Sequence, residues 1–260
     1  MPTEEAARLR GVLFDLDDTV LDHRQLSEAA YRALWQLVRG DQIAIAVTGR
    51  AALWGKWLLE LWPLAAAVTE NGAIAWVKRE GRVSIVDRLP PDGRRARWQH
   101  LLAISSQLQQ AFPWLQPTGD ESQRISDIAF DIGEHERVEP KRIQEVVQRA
   151  RQLGARTSVS SIHLHITLDA DDKASGSVRL LREAFGIDEG LALTQFAFIG
   201  DSGNDAACFA AFETSIAVSN WRGEFTRPPR YVTSLPMGAG FAESVAQLSA
   251  KRERHSLPVP

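Results

Sequence analysis

The sequence predicts an α/β protein in which a Rossmann-like parallel sheet core carries an inserted α+β domain. At both ends of the chain, apolar strand segments alternate with helical segments, and each clear strand runs into polar residues. The middle third begins at a breaker cluster, PPDG at 90–93, and has a different pattern. After Asp169 the first alternation returns. We therefore expect residues 1–88 and 170–260 to form the core domain and 89–169 the inserted domain.

The first part of the chain predicts two strand–helix units followed by a strand and a hairpin. The apolar run in RGVLFDLD is typical of a buried parallel strand, and LSEAAYRALWQLVRG has helical spacing that stops at Gly40. QIAIAVTGR predicts a second buried strand that ends at Thr48, with a helix over 51–61 after it. A short strand in AAAVTENG then leads into a hairpin with a turn at Glu80-Gly81.

The inserted region predicts two helices and two strands. RRARWQHLLAISSQLQQAF is an amphipathic helix, and EPKRIQEVVQRARQLG predicts a second helix that separates the strands ISDIAFDIG and TSVSSIHLHITLD. Beyond it we expect a helix over 174–185, strands in QFAFIGD, TSIAVS and RYVTS, a helix in DAACFAAF, and a loose tail over 251–260.

Composition narrows the class of protein. The chain has 30 basic and 33 acidic residues and a formal charge of -3, without a long basic run, so we expect no nucleic-acid partner. The acidic start, MPTEEAARLR, is unlike a secretory signal, and no apolar segment reaches membrane-spanning length. Its one cysteine, Cys208, cannot form an internal disulfide and is expected in the core. These features predict a cytoplasmic protein without a membrane partner.

Acidic residues follow the strands that should meet at one edge of the sheet. FDLDDT, VTGR and IGDSGND each end a predicted strand, and in doubly wound sheets these ends line the ligand crevice. Asp15, Asp17, Asp201 and Asp205 would then converge, and their repulsion is tolerable only around a cation or with protonation. Because the ligands are hard oxygens, we predict magnesium as the cofactor.

A carboxylate beside magnesium can attack phosphorus and form an aspartyl-phosphate, while a second carboxylate transfers protons. Asp15 and Asp17, one residue apart at a strand end, suit these two tasks. The hydroxyl of Thr48, the ammonium of Lys173 and backbone amides near Gly49 can hold the phosphoryl oxygens. This combination predicts a phosphatase.

The motifs DxDxT at 15–19, a threonine at the end of the second strand, a lysine and GDSGND at 200–205 together resemble the haloacid dehalogenase superfamily, in order and in strand context. The resemblance implies a haloacid dehalogenase-like fold with Asp15 as nucleophile and Asp17 as general acid/base. It also implies phosphate contacts for Thr48 and Lys173 and a magnesium site of Asp201 and Asp205, completed by Asp15 and the backbone carbonyl of Asp17. Asn204 would bind or orient beside Lys173. An alanine follows Lys173 where many relatives have glycine.

The insertion between Thr48 and Lys173, with VTENGA before it, is similar to the type IIB cap group. That group includes sucrose-phosphate, trehalose-phosphate and mannosylphosphoglycerate phosphatases and phosphomannomutases. The resemblance implies a small phosphorylated substrate, with a sugar phosphate favoured. Two alternatives remain open: a phosphomutase of the same superfamily and a non-catalytic phosphosugar-binding regulator. The sequence sets no oligomeric state.

Further substrate contacts are predicted from position. In SSIHLHITL, His163 and His165 alternate with apolar residues, so they face either the substrate or solvent, and a metal site at the pair is disfavoured. The same two interpretations, contact with substrate or exposure to solvent, apply to Asp127, Asp131 and Arg124. Two further sets lie at strand ends: Gly49 and Arg50 after the second strand, and Glu70 and Asn71 after the third. Trp54 and Trp57 favour core packing over a contact at the rim.

Overall fold

A computed structural model describes residues 2–133, 135, 137–160, 162–222 and 227–256. The strands of this part of the chain are β1 (Gly11–Phe14), β2 (Leu21–Asp22), β3 (Gln25–Leu26), β4 (Ile43–Val47), β5 (Ala66–Thr69), β6 (Ile74–Arg79), β7 (Arg82–Asp87), β8 (Asp127–Asp131), β9 (Arg156–Val159), β10 (His163–Thr167), β11 (Phe196–Gly200), β12 (Thr214–Ala217) and β13 (Tyr231–Val232). The helices are α1 (Thr3–Arg8), α2 (Glu28–Arg39), α3 (Ala52–Leu61), α4 (Pro91–Ala111), α5 (Pro140–Gln152), α6 (Lys173–Phe185), α7 (Glu189–Gln195), α8 (Ala206–Ala211) and α9 (Met237–Ser256).

The larger sheet has the order β13-β12-β11-β1-β4-β5-β6-β7 among the described strands. From β13 to β5 neighbouring strands pair in parallel, and the hairpin of β6 and β7 adds antiparallel strands at one edge. β1 lies between β11 and β4, so the chain leaves β1 toward one side and returns on the other. A crevice opens at such a switch point, beyond the carboxyl ends of the central strands.

Helices cover both faces of this sheet because successive side chains of a strand point to opposite sides. On β1, Phe14 packs in a cluster with Leu34 of α2 and Phe241 of α9. Leu13 joins the opposite cluster with Leu180 of α6 and Phe209 of α8. The α/β architecture with a large parallel sheet is therefore confirmed.

A smaller antiparallel sheet, of order β8-β10-β9 in the described chain, forms between α4 and α6 in sequence. One face packs on α4 and α5, with Phe130 and Leu164 buried against Leu108 and Val146. The opposite face carries polar side chains, among them His163, His165 and Thr167 of β10. The inserted α+β unit is thus present, whereas its exact bounds, 89–169, stay a prediction.

Two predictions about elements were wrong. TSVSSIHLHITLD forms two strands, β9 and β10, because the Ser160 hydroxyl accepts hydrogen bonds from the backbone N–H groups of Ile162 and His163 and turns the chain there. The expected tail from residue 251 is helical to Ser256, while 257–260 lie outside the described residues. α9 forms because Phe241, Val245 and Leu248 repeat at helical spacing and are buried against the sheet.

Across the described ranges, no helix is both long enough and apolar enough to cross a lipid bilayer.

Candidate active site

Asp15, Asp201 and Asp205 converge at the carboxyl ends of β1 and β11. Each offers a carboxylate oxygen, and these oxygens lie within 4.8 Å of one another. All three residues are buried, with Asp15 only 4% exposed. The parallel pairing of β1 with β11 brings their ends together, because Phe14 is in register with Ile199 and the Asp15 amide donates to the Ile199 carbonyl at 2.9 Å.

The three buried carboxylates repel one another. Burial, together with the charges of Asp15 and Asp205, raises the pKa of Asp201 to about 9. Burial likewise raises the pKa of Asp15 to about 7, with Lys173 opposing and Asp205 and Asp17 adding to the rise. Hard oxygen ligands at this spacing, with their charge incompletely offset, fit a divalent cation such as magnesium.

Lys173 supplies the cation that the structure places within this cluster. Its ammonium donates to Asp15 Oδ1 and to Asp205 Oδ1, both at 2.7 Å, and the residue is 1% exposed. Burial lowers the pKa of Lys173, but the two aspartates outweigh burial and raise it above its usual value. Lys173 is therefore held as a charged group between the predicted nucleophile and a predicted metal ligand.

Local structure fixes the position of Lys173. Asp172 caps α6 by accepting from the Ser175 amide at 2.9 Å, so Lys173 is the first residue of the helix. Gly176, one turn along, lies against the turn at Glu70–Gly72, where an added Cβ would come within 2.2 Å of the Gly72 carbonyl oxygen. The glycine that permits this close approach is thus three residues after Lys173, rather than directly after it.

The loop after β11 folds the Asp205 carboxylate back onto its own backbone. Asp205 Oδ2 accepts from the amides of Asp201, at 2.9 Å, and of Ser202, at 3.1 Å. Gly200 is required there, because an added Cβ would lie 2.5 Å from Asp205 Oδ2. Thr19, to which the sequence analysis gave no role, donates to Asp201 Oδ1 at 3.0 Å; its signal was its place in the DxDxT motif.

Asp17 lies beside the cluster, and its carboxylate is held by Arg50. The guanidinium donates to both Asp17 oxygens, from Nε at 3.0 Å and from Nη2 at 2.5 Å. It also stacks on the indole of Trp54, 4.0 Å from the ring centroid. The predicted general acid/base is therefore oriented by a residue of the loop that follows β4. Contact of Arg50 with substrate stays a prediction.

Thr48 and Gly49 border the same crevice at the end of β4. The Thr48 hydroxyl is buried and accepts from the Arg50 amide at 3.1 Å. A Cβ at Gly49 would lie 3.0 Å from Asn71 Oδ1 and 3.2 Å from His165 Nε2, so a side chain at this position would crowd both neighbours. Asn204 donates to Asn71 Oδ1 at 3.4 Å, which connects the loops after β5 and β11.

A cavity of about 340 Å³ lies between this loop cluster and the polar face of the smaller sheet. Its floor includes Asp15, Asp17, Gly49 and Arg50, and Asn204 lies at its side. Its roof includes His163 and His165, so the structure places both predicted histidines opposite the predicted nucleophile. Their contact with a substrate stays a prediction.

Glu70 does not line this cavity, although the sequence analysis predicts it as a substrate contact. Its buried carboxylate accepts from the amides of Ala52 and Ile125, both at 2.8 Å, and of Ser126 and Asp127, at 2.5 and 3.0 Å. The Ser126 hydroxyl donates at 2.7 Å. These five donors exceed the roughly four lone-pair sites of a carboxylate, so both oxygens are fully engaged and Glu70 ties the start of α3 to the start of β8.

We expect Glu70→Gln to lower the free energy of unfolding by about 3 kcal/mol, because an amide NH₂ would replace a buried oxygen that accepts hydrogen bonds. Chemical denaturation monitored by circular dichroism measures this. Glu60→Gln is the matched control, because Glu60 is half exposed at the end of α3 and pairs only loosely with Lys56, at 3.9 Å. Equal stability of the two variants would contradict the assignment.

The roof is held together by Asp127 and Arg124, for which the sequence left both substrate contact and solvent exposure open. Asp127 accepts from His165 Nδ1 at 2.8 Å, and Arg124 donates to Asp127 Oδ1 at 2.6 Å. Arg124 also donates to Asp120, and its Nη1 donates to the Gly49 carbonyl at 3.3 Å, which connects roof and floor. The alternation of Asp127 with buried residues was the available signal, but it fits a solvent-facing strand equally well.

The chain is similar in sequence to known phosphatases. A family model described as sucrose-6F-phosphate phosphohydrolase matches residues 10–228. Among curated proteins, a phosphoglycolate phosphatase from Methanothermobacter thermautotrophicus is 27% identical over 241 residues, which cover 91% of this chain and 97% of that protein.

Solved structures show the same fold. The sucrose-phosphatase of Synechocystis sp. PCC6803, in complex with sucrose and phosphate, aligns with a TM-score of 0.68 and 18% identity over 92% of this chain and 98% of its own. A subclass IIB sugar phosphatase of the haloacid dehalogenase superfamily aligns with a TM-score of 0.68 and 16% identity, over 92% and 98% of the two chains.

Proposed function

The chain belongs to the sucrose-6F-phosphate phosphohydrolase family, and we propose that it hydrolyses a small sugar phosphate, with magnesium, through a phospho-aspartate at Asp15. It is a phosphoric monoester hydrolase of the haloacid dehalogenase superfamily with a type IIB cap. The observation that carries the proposal is the contact of Lys173 with Asp15 inside the buried aspartate cluster, where Asp15 also lines the floor of the cavity. In the same proposal, 1–88 and 170–260 form the catalytic core and 89–169 the cap.

The site residues divide the reaction between them. A carboxylate oxygen of Asp15 attacks the phosphorus, and Lys173, already 2.7 Å from that carboxylate, offsets the charge between two anions. Asp17 gives a proton to the leaving oxygen and then takes one from the water that hydrolyses the phospho-aspartate. When Asp17 carries that proton on one oxygen, its other oxygen still accepts from Arg50. The Thr48 hydroxyl and the Gly49 amide hold phosphoryl oxygens.

Asp15, Asp201 and Asp205 would hold the magnesium ion, with the backbone carbonyl of Asp17 as a further ligand. When bound, the ion would neutralise charge on the transferring phosphoryl group. The roof residues would exclude bulk water and contact the organic part of the substrate. A cytoplasmic location belongs to the same proposal. Cys208 is a free thiol, which agrees with a reducing compartment.

We expect the purified protein to release inorganic phosphate from a panel of sugar phosphates only when a divalent metal is present. Chelation with EDTA should abolish release, and added magnesium should restore it, because the aspartates then regain their counter-charge. The panel should include 2-phosphoglycolate, the substrate that the curated relative's name indicates, together with p-nitrophenyl phosphate and acetyl phosphate. The thermal midpoint with and without magnesium reports binding without relying on turnover.

The outcomes separate the alternatives. Full activity in EDTA would contradict the metal site. A phosphoryl group returned to a second sugar hydroxyl, without phosphate release, would favour a phosphomutase.

A further inference from the structure

The roof of the cavity presents a histidine whose ring is oriented by a buried carboxylate. Building on the proposed function, we propose that His165 accepts a hydrogen bond at Nε2 from a hydroxyl of the leaving group. The enzyme would therefore prefer polyhydroxylated leaving groups over those that carry a carboxylate. Asp127 is the positioning residue in this proposal, because it acts only through the His165 ring.

The hydrogen bond to Asp127 determines which ring nitrogen carries the proton. His165 Nδ1 lies 2.8 Å from Asp127 Oδ2, and the two residues are 2% and 1% exposed. Burial raises the pKa of Asp127, but Arg124 and His165 outweigh burial and lower it below its usual value. An ionised carboxylate only accepts hydrogen bonds, so Nδ1 must be the donor.

The other ring nitrogen is then an acceptor that faces the active site. Burial lowers the pKa of His165, with Asp127 opposing, so the ring is neutral near pH 7. In a neutral ring protonated on Nδ1, Nε2 holds a lone pair. Nε2 lies 3.2 Å from the position of a Cβ on Gly49, at the level of the loop predicted to bind phosphate. A hydroxyl can donate to such a nitrogen, whereas a carboxylate cannot.

The guanidinium groups at the centre of the cavity are already paired. Arg50 binds both carboxylate oxygens of Asp17, and Arg124 binds Asp120 and Asp127. A leaving group with a carboxylate would compete with these aspartates and would meet the Nε2 lone pair. Arg24, at the exposed rim, is a further cation of the lining. The interior of the cavity thus favours an uncharged polar group.

A histidine bonded to an aspartate could also serve only to join β10 to β8. The two roles differ in what a substitution changes. A role confined to stability would reduce turnover of every phosphate ester by a similar factor. A contact with a leaving-group hydroxyl would reduce turnover chiefly for substrates that carry that hydroxyl.

The test compares substrates in the full-length enzyme with magnesium. Wild type should have a higher kcat/KM for sugar phosphates than for 2-phosphoglycolate. His165→Phe should lower kcat/KM for the best sugar phosphate about 10- to 100-fold more than for p-nitrophenyl phosphate, since a buried hydrogen bond is lost. One analogue of that sugar phosphate that lacks a single hydroxyl should show no such extra fall in kcat/KM when His165 is replaced. His100→Phe, on the exposed side of α4, is the matched control and should leave the ratio unchanged.

Nitrogen NMR of the imidazole gives a readout that does not depend on turnover. Wild type should show His165 protonated at Nδ1 and unprotonated at Nε2, and Asp127→Asn should alter this distribution. A proton at Nε2 in wild type, an equal loss for all esters in His165→Phe, or a preference for 2-phosphoglycolate would each overturn the inference. If wild type released phosphate from none of the esters, the proposed function itself would fail, and this inference with it.

Discussion

Asp15→Asn is expected to lower kcat by at least about 10⁴-fold, because the amide cannot attack phosphorus and no phospho-enzyme can form. The substitution keeps the side-chain shape and an oxygen that can still accept from Lys173, whose ammonium lies 2.7 Å from Asp15 Oδ1. It also removes one of the mutually repelling carboxylates. The folded state should therefore persist. Phosphate release under saturating substrate and magnesium is the measurement.

Two controls distinguish a loss of catalytic chemistry from a loss of folding. The thermal midpoint of Asp15→Asn should match or exceed that of wild type without metal, since Asp201 and Asp205 then have one fewer charged neighbour. Asp188→Asn is a matched control, because Asp188 is an exposed residue outside the aspartate cluster, where it caps α7 and accepts from the Leu191 amide at 3.0 Å. Retention of wild-type kcat in Asp15→Asn would refute the covalent mechanism.

Lys173→Met should reduce both turnover and stability, because it removes the cation shared by Asp15 and Asp205. We expect kcat to fall about 10²- to 10³-fold, as for other losses of a group that stabilises developing charge. In metal-free buffer the free energy of unfolding should fall by about 3 to 5 kcal/mol, since buried charges are left without their partner.

The stability loss in Lys173→Met should grow with rising pH. The pKa of Asp15 is raised to about 7 even with Lys173 lowering it, so the variant should carry a still higher value. A carboxyl with a raised pKa in the folded chain keeps its proton after the unfolded chain has released it, and rising pH therefore favours unfolding. Denaturation at pH 5 and pH 8 measures the difference.

The exposed residue Lys56 offers the control. Lys56→Met should change stability by less than about 0.5 kcal/mol at either pH. A pH-independent loss in Lys173→Met would show that lost packing, rather than charge, explains the effect.

Much of the site could be predicted because its residues belong to short local motifs. Asp15 and Asp17 directly follow an apolar run, and GDSGND follows another. Each apolar run predicts a strand, and the acidic residues after it mark the end of that strand that carries the site. The parallel order of the strands then brings those ends together. Most helices and strands were predictable for the same reason, since their apolar spacing is local.

Other features depend on contacts between distant segments. From its strand-end position Glu70 is predicted to line the crevice, yet its carboxylate accepts from the Ala52 amide of α3 and the Asp127 amide of β8, which only the folded chain brings to it. α9 depends on packing of Phe241 rather than on helix propensity, because Gly238 and Gly240 open the helix. The turn at Ser160 depends on a hydrogen bond from the His163 amide to the Ser160 hydroxyl, which the alternation of residues along a strand cannot predict.

The sequence by itself determined the parallel core, the acidic motifs and the family. Apolar spacing along the chain predicts the core, and short runs of consecutive residues form the motifs that indicate the family. Tertiary structure alone decided how those residues are paired: Lys173 between Asp15 and Asp205, Arg50 on Asp17, and Asp127 on His165. The physical reason is that a charge in low dielectric is governed by its nearest partners in space, and chain order does not specify which side chains those partners will be.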